Sequence, residues 1–412
     1  MRVYQLNYSD VTGGAARAAY RIHHALIEYG IDSTMFVNQS TAGDWTVSSE
    51  RAKLSKMFIQ IKPSIASLIT KTLVTQNPIT HSPANIPTKW AAKLNSSTAS
   101  VVHLHWINNE MISIADIGKI NKPVVWSLHD MWPFCGAEHY TEDFRWRDGY
   151  LKDNRPPYER GFDLNRWTSI RKLKHWKVPM NIVASTRWLA DCASKSLLMR
   201  GWPVTVIPYA IDVSVWKPMD KLMARKLLNL PLHAHLILFG AIGGKQDPRK
   251  GFDLLEAAIK ELPGYLPKLE LVIFGQLKPK NAIDLPFPVH YTGHLYDDIS
   301  MRILYCAADV MIVPSRQEAF GQTGTEAQCC GTPVVTFDAT GLRDIVVHMQ
   351  TGYLANPFSH QDLANGIKWV LEDEIRQAHL SAKSRQRAVQ LWSNEVIAKQ
   401  YMNVYQQAIH NH

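Results

Sequence analysis

Short runs rich in Val, Ile and Leu alternate with stretches of helical periodicity along this chain, and the pattern comes in two series. A strand that is apolar on both faces must be covered on both, and a helix after each strand supplies the cover. The first series predicts strands at 3–7, 34–37, 101–105, 124–129, 182–185 and 204–208, with a helix at 15–29 after the first. The second predicts strands at 236–240, 269–275, 289–292, 310–314 and 333–337. Together they imply an α/β fold of two doubly wound, Rossmann-like domains facing across a cleft, joined near residues 209–220. We expect a first domain over 1–214, a second over 215–391, and a C-terminal helix over 392–412 able to pack back on the first. Ligands of such sheets bind beyond the carboxyl ends of the strands, where strand order reverses.

The 412 residues are 46% hydrophobic and 20% charged, the balance of a soluble protein with sizeable cores. The start lacks a basic segment followed by a long apolar one, so no secretory signal is read. The most apolar early stretch, 57–74, contains Lys62, Pro63 and Lys71 and falls short of the about 20 apolar residues of a membrane span. A cytoplasmic location is expected. The five cysteines show no metal or disulfide spacing and read as buried thiols.

The net charge of +9 sits mostly in the first half, where residues up to Ser214 carry 25 Lys+Arg against 17 Asp+Glu. Residues 51–100 hold seven basic residues and no acidic one, and 166–177 add a second cluster. Such a field suits an anionic partner, such as a membrane surface, or is a solvated face. Within 51–75, Leu54, Met57, Phe58, Ile61, Ile65, Leu68 and Ile69 have helical spacing among lysines, with Pro63 expected to kink or interrupt the helix. A segment of this kind lies on a membrane surface or packs on its own domain, and the pattern leaves both open. No nucleic-acid recognition module is present, so nucleic acid is not an expected partner.

The chemistry concentrates in residues 310–335. A buried strand ends at Pro314, a polar loop carries Glu318, and Phe320-Gly321-Gln322-Thr323 leads into a helix bearing Glu326. The helix start offers N–H groups and the positive end of the macrodipole, and Gly321 lets an anion approach the backbone. Carboxylates repel anions, so Glu318 and Glu326 would accept from neutral hydroxyls: a sugar ring for the first, a ribose for the second. A plainer reading, an exposed loop residue and a first-turn Glu, stands beside this one.

The spacing of Glu318 and Glu326, with Phe320-Gly321 between and Cys330-Gly331-Thr332-Pro333-Val334-Val335 after, resembles the retaining glycosyltransferases of family 4, of GT-B fold. Gly13-Gly14, Ser127-Leu128-His129-Asp130, Ile207-Pro208-Tyr209-Ala210-Ile211-Asp212, Pro248-Arg249-Lys250-Gly251 and Thr351-Gly352-Tyr353-Leu354 extend the resemblance over most of the chain. The run from His129 to Phe134 is similar to enzymes that build capsule, O-antigen and exopolysaccharide. The resemblance implies hexosyl transfer, with retention, from a nucleotide-diphosphate sugar to a glycan or lipid-linked acceptor. The rival readings are a non-catalytic GT-B subunit and a sugar-nucleotide epimerase or phosphorylase.

By resemblance Glu318 contacts the donor sugar, Glu326 the donor ribose, and Phe320, Gly321, Gln322 and Thr323 offer backbone N–H groups. Lys250 matches the phosphate-binding lysine. Relatives often carry a Gly-Arg pair after the first strand of this domain; here the chain reads Gly240-Ala241-Ile242-Gly243-Gly244-Lys245, and Lys245 or Arg249 is the candidate substitute. His129 is the expected polar group near the reacting centre, and Asp130 either orients its imidazole or stabilises the turn. Gly13, Gly14 and Arg17 are candidates for a phosphate or the acceptor, and His105 is a second histidine candidate or a satisfied structural one. With no Asp-x-Asp present, we expect metal-independent chemistry and no cofactor beyond the sugar nucleotide.

Overall fold

The structure, a computed structural model, describes residues 1–49, 53–240, 247–266, 268–279 and 284–412. The chain divides into two compact units, Met1–Ala210 with Ile397–His412, and Ile211–Val396. The first contains strands β1 (Arg2–Ser9), β2 (Asp32–Gln39), β3 (Val47–Ser49), β4 (Leu73–Val74), β5 (Val101–Leu104), β6 (Val124–Leu128), β7 (Arg160–Gly161), β8 (Asn181–Ala184) and β9 (Val204–Val206). Seven of them form a parallel sheet in the order β3-β2-β1-β5-β6-β8-β9, and β4 pairs antiparallel with β7. The second contains β10 (His235–Gly240), β11 (Leu269–Phe274), β12 (Val289–Gly293), β13 (Val310–Val313), β14 (Val334–Phe337) and β15 (Gly352–Ala355), parallel in the order β12-β11-β10-β13-β14-β15.

Both sheets start at the middle, wind outward, then return to the middle and wind the other way. The two doubly wound, Rossmann-like sheets expected from the strand pattern are therefore present. The switch points lie between β1 and β5 and between β10 and β13. Central strands β5, β6, β13 and β14 are buried at every residue, whereas the edge strands β9 and β12 are only partly covered. This gradient explains why continuous apolar runs mark the middle of each sheet. Helices open on side-chain caps where a Ser, Thr or Asp precedes them, as with Thr186 accepting from Leu189 N and Asp297 from Ser300 N. Asp297 and Asp298 serve structure here: Asp298 Oδ2 also accepts from Trp216 Nε1 at 3.2 Å.

The helix Lys53–Thr70 runs through Pro63 without interruption, contrary to one expectation. Proline removes a single N–H donor, and the remaining bonds on either side of it carry the helix on. The basic cluster at 166–177 is only in part a solvated face. Lys172, on the helix Leu164–His175, is fully buried, over the Trp132 ring at 3.8 Å and donating to the carbonyls of Trp132, Cys135 and Gly136. Burial lowers its pKa to about 7 and raises that of buried Glu138 to about 7. Arg171 is likewise drawn inward, donating to the carbonyls of Pro83 and Ala84. All five cysteines are buried free thiols.

The C-terminal helix Asn394–His410 brings two buried tyrosines to the first sheet. The Tyr401 hydroxyl meets Ser127 Oγ at 2.8 Å, Ser127 meets His103 Nε2 at 2.8 Å, and Tyr405 OH meets His103 Nδ1 at 2.8 Å. Tyr405→Phe would leave one buried nitrogen of His103 without a partner. We expect a loss of about 1–3 kcal/mol in urea unfolding with little change in m. An unchanged midpoint would mean that this bond adds nothing.

Candidate active site

In the second unit the switch point is built from two loops. After β10 the described chain resumes at Asp247, so Lys245 lies outside the described residues. Asp247 caps the turn Pro248–Lys250, accepting from Arg249 N at 3.1 Å. The Arg249 guanidinium folds back on the same carboxylate, with Nη2 to Oδ2 at 2.7 Å. Lys250 points the other way and meets Glu318 Oε1 at 2.5 Å. Glu318 also accepts from Ser315 Oγ at 3.2 Å and donates its N–H to Thr340 Oγ1 at 3.3 Å.

Arg316 ties the loops together, pairing with Asp253 at 2.6 Å and donating to Pro248 O at 2.9 Å, while its own N–H bonds Arg249 O at 2.7 Å. Gly251 sits at φ 64°, and a Cβ there would lie 1.9 Å from Pro314 O. Only glycine permits this approach, which brings Lys250 to Glu318. Arg316, Ser315 and Thr340 were not singled out from sequence; a charged residue directly after a buried strand, as in Pro314-Ser315-Arg316, was the available signal.

The helix Gln322–Cys329 begins beside this pair, with Gly321 at φ 88° as its N-cap. Its axis delivers the first-turn amides and the positive dipole end to the loop. Phe320 is buried, with its ring edge-on to Trp392 at 6.2 Å, so its side chain belongs to the core and only its backbone is available to a ligand. Glu326, 4% exposed, accepts from the Tyr305 hydroxyl at 2.9 Å. An ammonium, a carboxylate and a helix tip thus gather at the carboxyl end of the sheet, with Glu326 further along that helix. Such a set can hold an anion flanked by hydroxyl-bearing groups.

In the first unit, a cavity of about 470 Å³ opens at the β1/β5 switch point. Gly13 and Gly14 line it, with Asn7, Ser9, Gln39 and Asn109 as polar groups and Tyr8 and Trp106 as rings. The two rings stand edge to face at 6.0 Å. No charged side chain lines the space, and half-buried Arg17, one turn into the helix, is not part of the wall. Asp10 shapes the loop from beneath. Burial alone would raise its pKa, but the amides of Ala42, Thr41 and Val11 outweigh that and lower it.

The histidines belong to a buried chain of hydrogen bonds. His105 Nε2 meets Gln5 Oε1 at 2.8 Å, and its Nδ1 meets His129 Nε2 at 3.1 Å. His129 Nδ1 meets Tyr209 OH at 2.8 Å. With Gln5 Oε1 as acceptor, His105 carries its proton on Nε2, His129 donates from Nε2, and Tyr209 donates to His129 Nδ1. Both nitrogens of each ring are engaged, so His105 is a satisfied structural histidine and His129 has no free nitrogen in this arrangement. Burial lowers the His129 pKa to about 4. Asp130 does not hold His129: its carboxylate accepts from His139 Nδ1 at 2.5 Å, Trp106 Nε1 at 2.9 Å and Trp132 N at 3.0 Å. Among the described residues, no group of His, Cys, Asp or Glu gathers in a way that could hold a metal ion.

The second unit is a doubly wound sheet with the Lys250–Glu318 pair at its switch point. Residues 242–387 match the family model of glycosyl transferases group 1. Part of the chain is similar to curated proteins called D-inositol 3-phosphate glycosyltransferase. That of Stackebrandtia nassauensis is 33% identical over 213 residues, covering 46% of this chain and 46% of the relative. That of Xylanimonas cellulosilytica is 31% identical over 243 residues, covering 55% and 57%. The chain thus spans about half the length of the curated relatives it matches. In solved structures, the sucrose-phosphate synthase of Thermosynechococcus elongatus aligns with TM-score 0.67 at 18% identity over 100% of both chains. Anabaena HepE, crystallised with UDP and glucose, aligns with TM-score 0.65 at 17% identity over 99% of this chain and 100% of that one. The fold is therefore that of the GT-B glycosyltransferases.

Proposed function

We propose that this protein transfers a sugar from a nucleotide-diphosphate donor, held by the second unit, to a glycan or lipid-linked acceptor, with retention of configuration. The observation that carries this reading is the Lys250–Glu318 pair beside the start of the helix Gln322–Cys329. The pair is self-neutralising when the site is empty of donor. A diphosphate draws the ammonium to itself and frees the carboxylate for sugar hydroxyls. As the sugar–phosphate bond breaks, negative charge grows on the leaving phosphate, where Lys250 and the first-turn amides stabilise it. Glu326, already accepting one hydroxyl proton from Tyr305, is suited to a ribose.

The acceptor reading rests on the uncharged, ring-bearing cavity at Gly13, which suits a polyhydroxylated molecule. His129 does not line that cavity: its Nε2 proton goes to His105 and its Nδ1 accepts from Tyr209. The relatives' names and the crystallised complex of HepE support a sugar-transfer role. A hexosyl donor and a place in cell-surface polysaccharide synthesis are the finer parts of the proposal, resting on the resemblance described above.

The test is a coupled assay for nucleoside diphosphate release from UDP-, GDP- and TDP-sugars, with and without a lipid or glycan extract. We expect release with one nucleotide class that depends on the extract and falls at least about 100-fold in Glu318→Gln. Conversion of the donor sugar without acceptor would instead mean an epimerase. Release unchanged in Glu318→Gln would remove this site from the chemistry.

A further inference from the structure

The Asp130 carboxylate, which leaves His129 to other partners, reaches the wall of the Gly13 cavity through Trp106. Trp106 follows β5 and is fixed through both its backbone and its indole. Its N–H donates to Asn7 Oδ1 at 2.9 Å, and its carbonyl accepts from Tyr8 N at 2.8 Å. Its Nε1 donates to Asp130 Oδ2 at 2.9 Å. A half-buried tryptophan tied only by its backbone is free to change rotamer; with the indole N–H held as well, the ring keeps one setting. Tyr8 stands edge to face with it at 6.0 Å, and the His139 ring lies 5.5 Å away at 37°.

The clamp is itself braced. His139 Nδ1 meets the same Asp130 oxygen at 2.5 Å, and His139 Nε2 meets Ser82 Oγ at 2.9 Å. The turn after Asp130 uses only the other oxygen, Oδ1, which accepts from Trp132 N at 3.0 Å. Half of the carboxylate is therefore committed to the indole and the imidazole rather than to the turn. Burial works to raise the Asp130 pKa, but the charge of His139 and the bonds from His139, Trp132 and Trp106 outweigh it and lower it, so the carboxylate stays ionised. Lys172 pins the loop that follows, donating to the carbonyls of Trp132, Cys135 and Gly136. The order Ser82–His139–Asp130 is that of a nucleophile relay, but Ser82 is buried and is not part of the cavity wall. The row serves Trp106, not a reacting serine.

We propose that Trp106 is the platform on which the acceptor's terminal sugar ring lies, and that Asp130, backed by His139, is the positioning residue that fixes it. The inference rests on the acceptor reading of the Gly13 cavity. A pyranose presents C–H groups on a face and hydroxyls at its rim. The indole suits the first, and Ser9, Gln39 and Asn109 on the same wall suit the second. A platform set before binding spares the cost of ordering it when the acceptor arrives. The tether therefore acts on acceptor affinity and on the aim of the attacking hydroxyl, and leaves donor binding alone.

The test is transfer to octyl glucoside, octyl galactoside and octyl mannoside, with the best of them taken for kinetics. In Trp106→Ala the KM for that glycoside should rise at least about tenfold, while calorimetric affinity for UDP or GDP stays as in wild type. Asp130→Asn should raise KM about fivefold in wild type but less than about twofold in a Trp106→Phe background, because Phe has no N–H for the carboxylate to hold. Equal effects of Asp130→Asn in both backgrounds, or an unchanged KM in Trp106→Ala, overturn the proposal. If Asp130→Asn fails to fold, Trp106→Phe decides alone: a KM between those of wild type and Trp106→Ala supports the tether, and one equal to wild type overturns it. Transfer to none of the glycosides, while the extract still supports nucleoside diphosphate release, overturns this inference and leaves the donor reading standing. No release with the extract either removes the reading beneath it.

Discussion

Lys250→Ala is expected to lower turnover about 10²–10³-fold, equivalent to about 3–4 kcal/mol of barrier. The reason is where the charge sits. Without donor the ammonium is satisfied by Glu318 at 2.5 Å; on a bound donor it meets the diphosphate, and it gains most when the departing phosphate takes on full charge. Its loss therefore falls on kcat more than on KM. Lys250→Arg restores part of the rate, because it keeps the charge but replaces a compact ammonium with a larger planar group. Glu318→Gln has a different signature: removing the carboxylate releases Lys250, so nucleoside diphosphate binds more tightly while turnover falls. Stopped-flow or steady-state kinetics with calorimetric binding of UDP or GDP measures both. Equal losses of affinity in the two variants would mean that the pair is a structural ion pair only.

The largest expected effect on stability comes from acid. His23, His103, His105 and His129 are all buried in the first unit. Burial lowers His23 and His129 to about 4 and takes His103 and His105 well below their ordinary value. A histidine held neutral by the fold contributes fully above its unfolded pKa of about 6.5. That contribution disappears as pH falls toward the folded pKa, because the unfolded chain takes up the proton first. For His23 and His129 a shift of about 2.5 units at about 1.4 kcal/mol each gives about 3 kcal/mol per residue. Since a domain has only about 5–15 kcal/mol in hand, we expect the melting temperature to drop steeply between pH 6.5 and 4. His129→Asn should flatten that slope by about one proton. A stability that stays level from pH 7 to 4.5 would contradict this account of the network.

The sheet centres were readable from sequence because β5, β6, β13 and β14 are buried on both faces and mostly apolar, with His103, Ser127 and Thr336 the polar exceptions. The strands that escaped notice are of another kind. β3 is Val-Ser-Ser at a sheet edge, β4 and β7 have two residues each, and β15 reads Gly-Tyr-Leu-Ala with a glycine at its start. Short edge strands owe their existence to a partner's backbone, which no local pattern announces. The site shows the same division. Glu318, Lys250 and the helix start at Gly321 were visible as a spaced set of chemical types. The bonds that orient them, from Arg316, Ser315 and Tyr305, join residues far apart in the chain.

The histidines and the stripe at 57–68 teach a second lesson. An imidazole at the end of a strand looks like a reactive group until its neighbours are known, and here Tyr209 and His105 occupy both nitrogens of His129, while Gln5 and His129 occupy those of His105. Helical spacing told which residues share a side of the helix Lys53–Thr70. It could not tell which side faces inward, because that is set by residues far along the chain, such as Ala137 and Leu164, in the cluster against which Ile69 packs.

A crystal of the full chain with bound UDP or GDP tests the central claim most directly. The account predicts phosphate oxygens against the amides at Gly321–Thr323, with Lys250 turned from Glu318 onto them and Glu326 toward the ribose. A nucleotide bound away from the β10/β13 switch point, or one that leaves the Lys250–Glu318 pair closed and untouched, would contradict it.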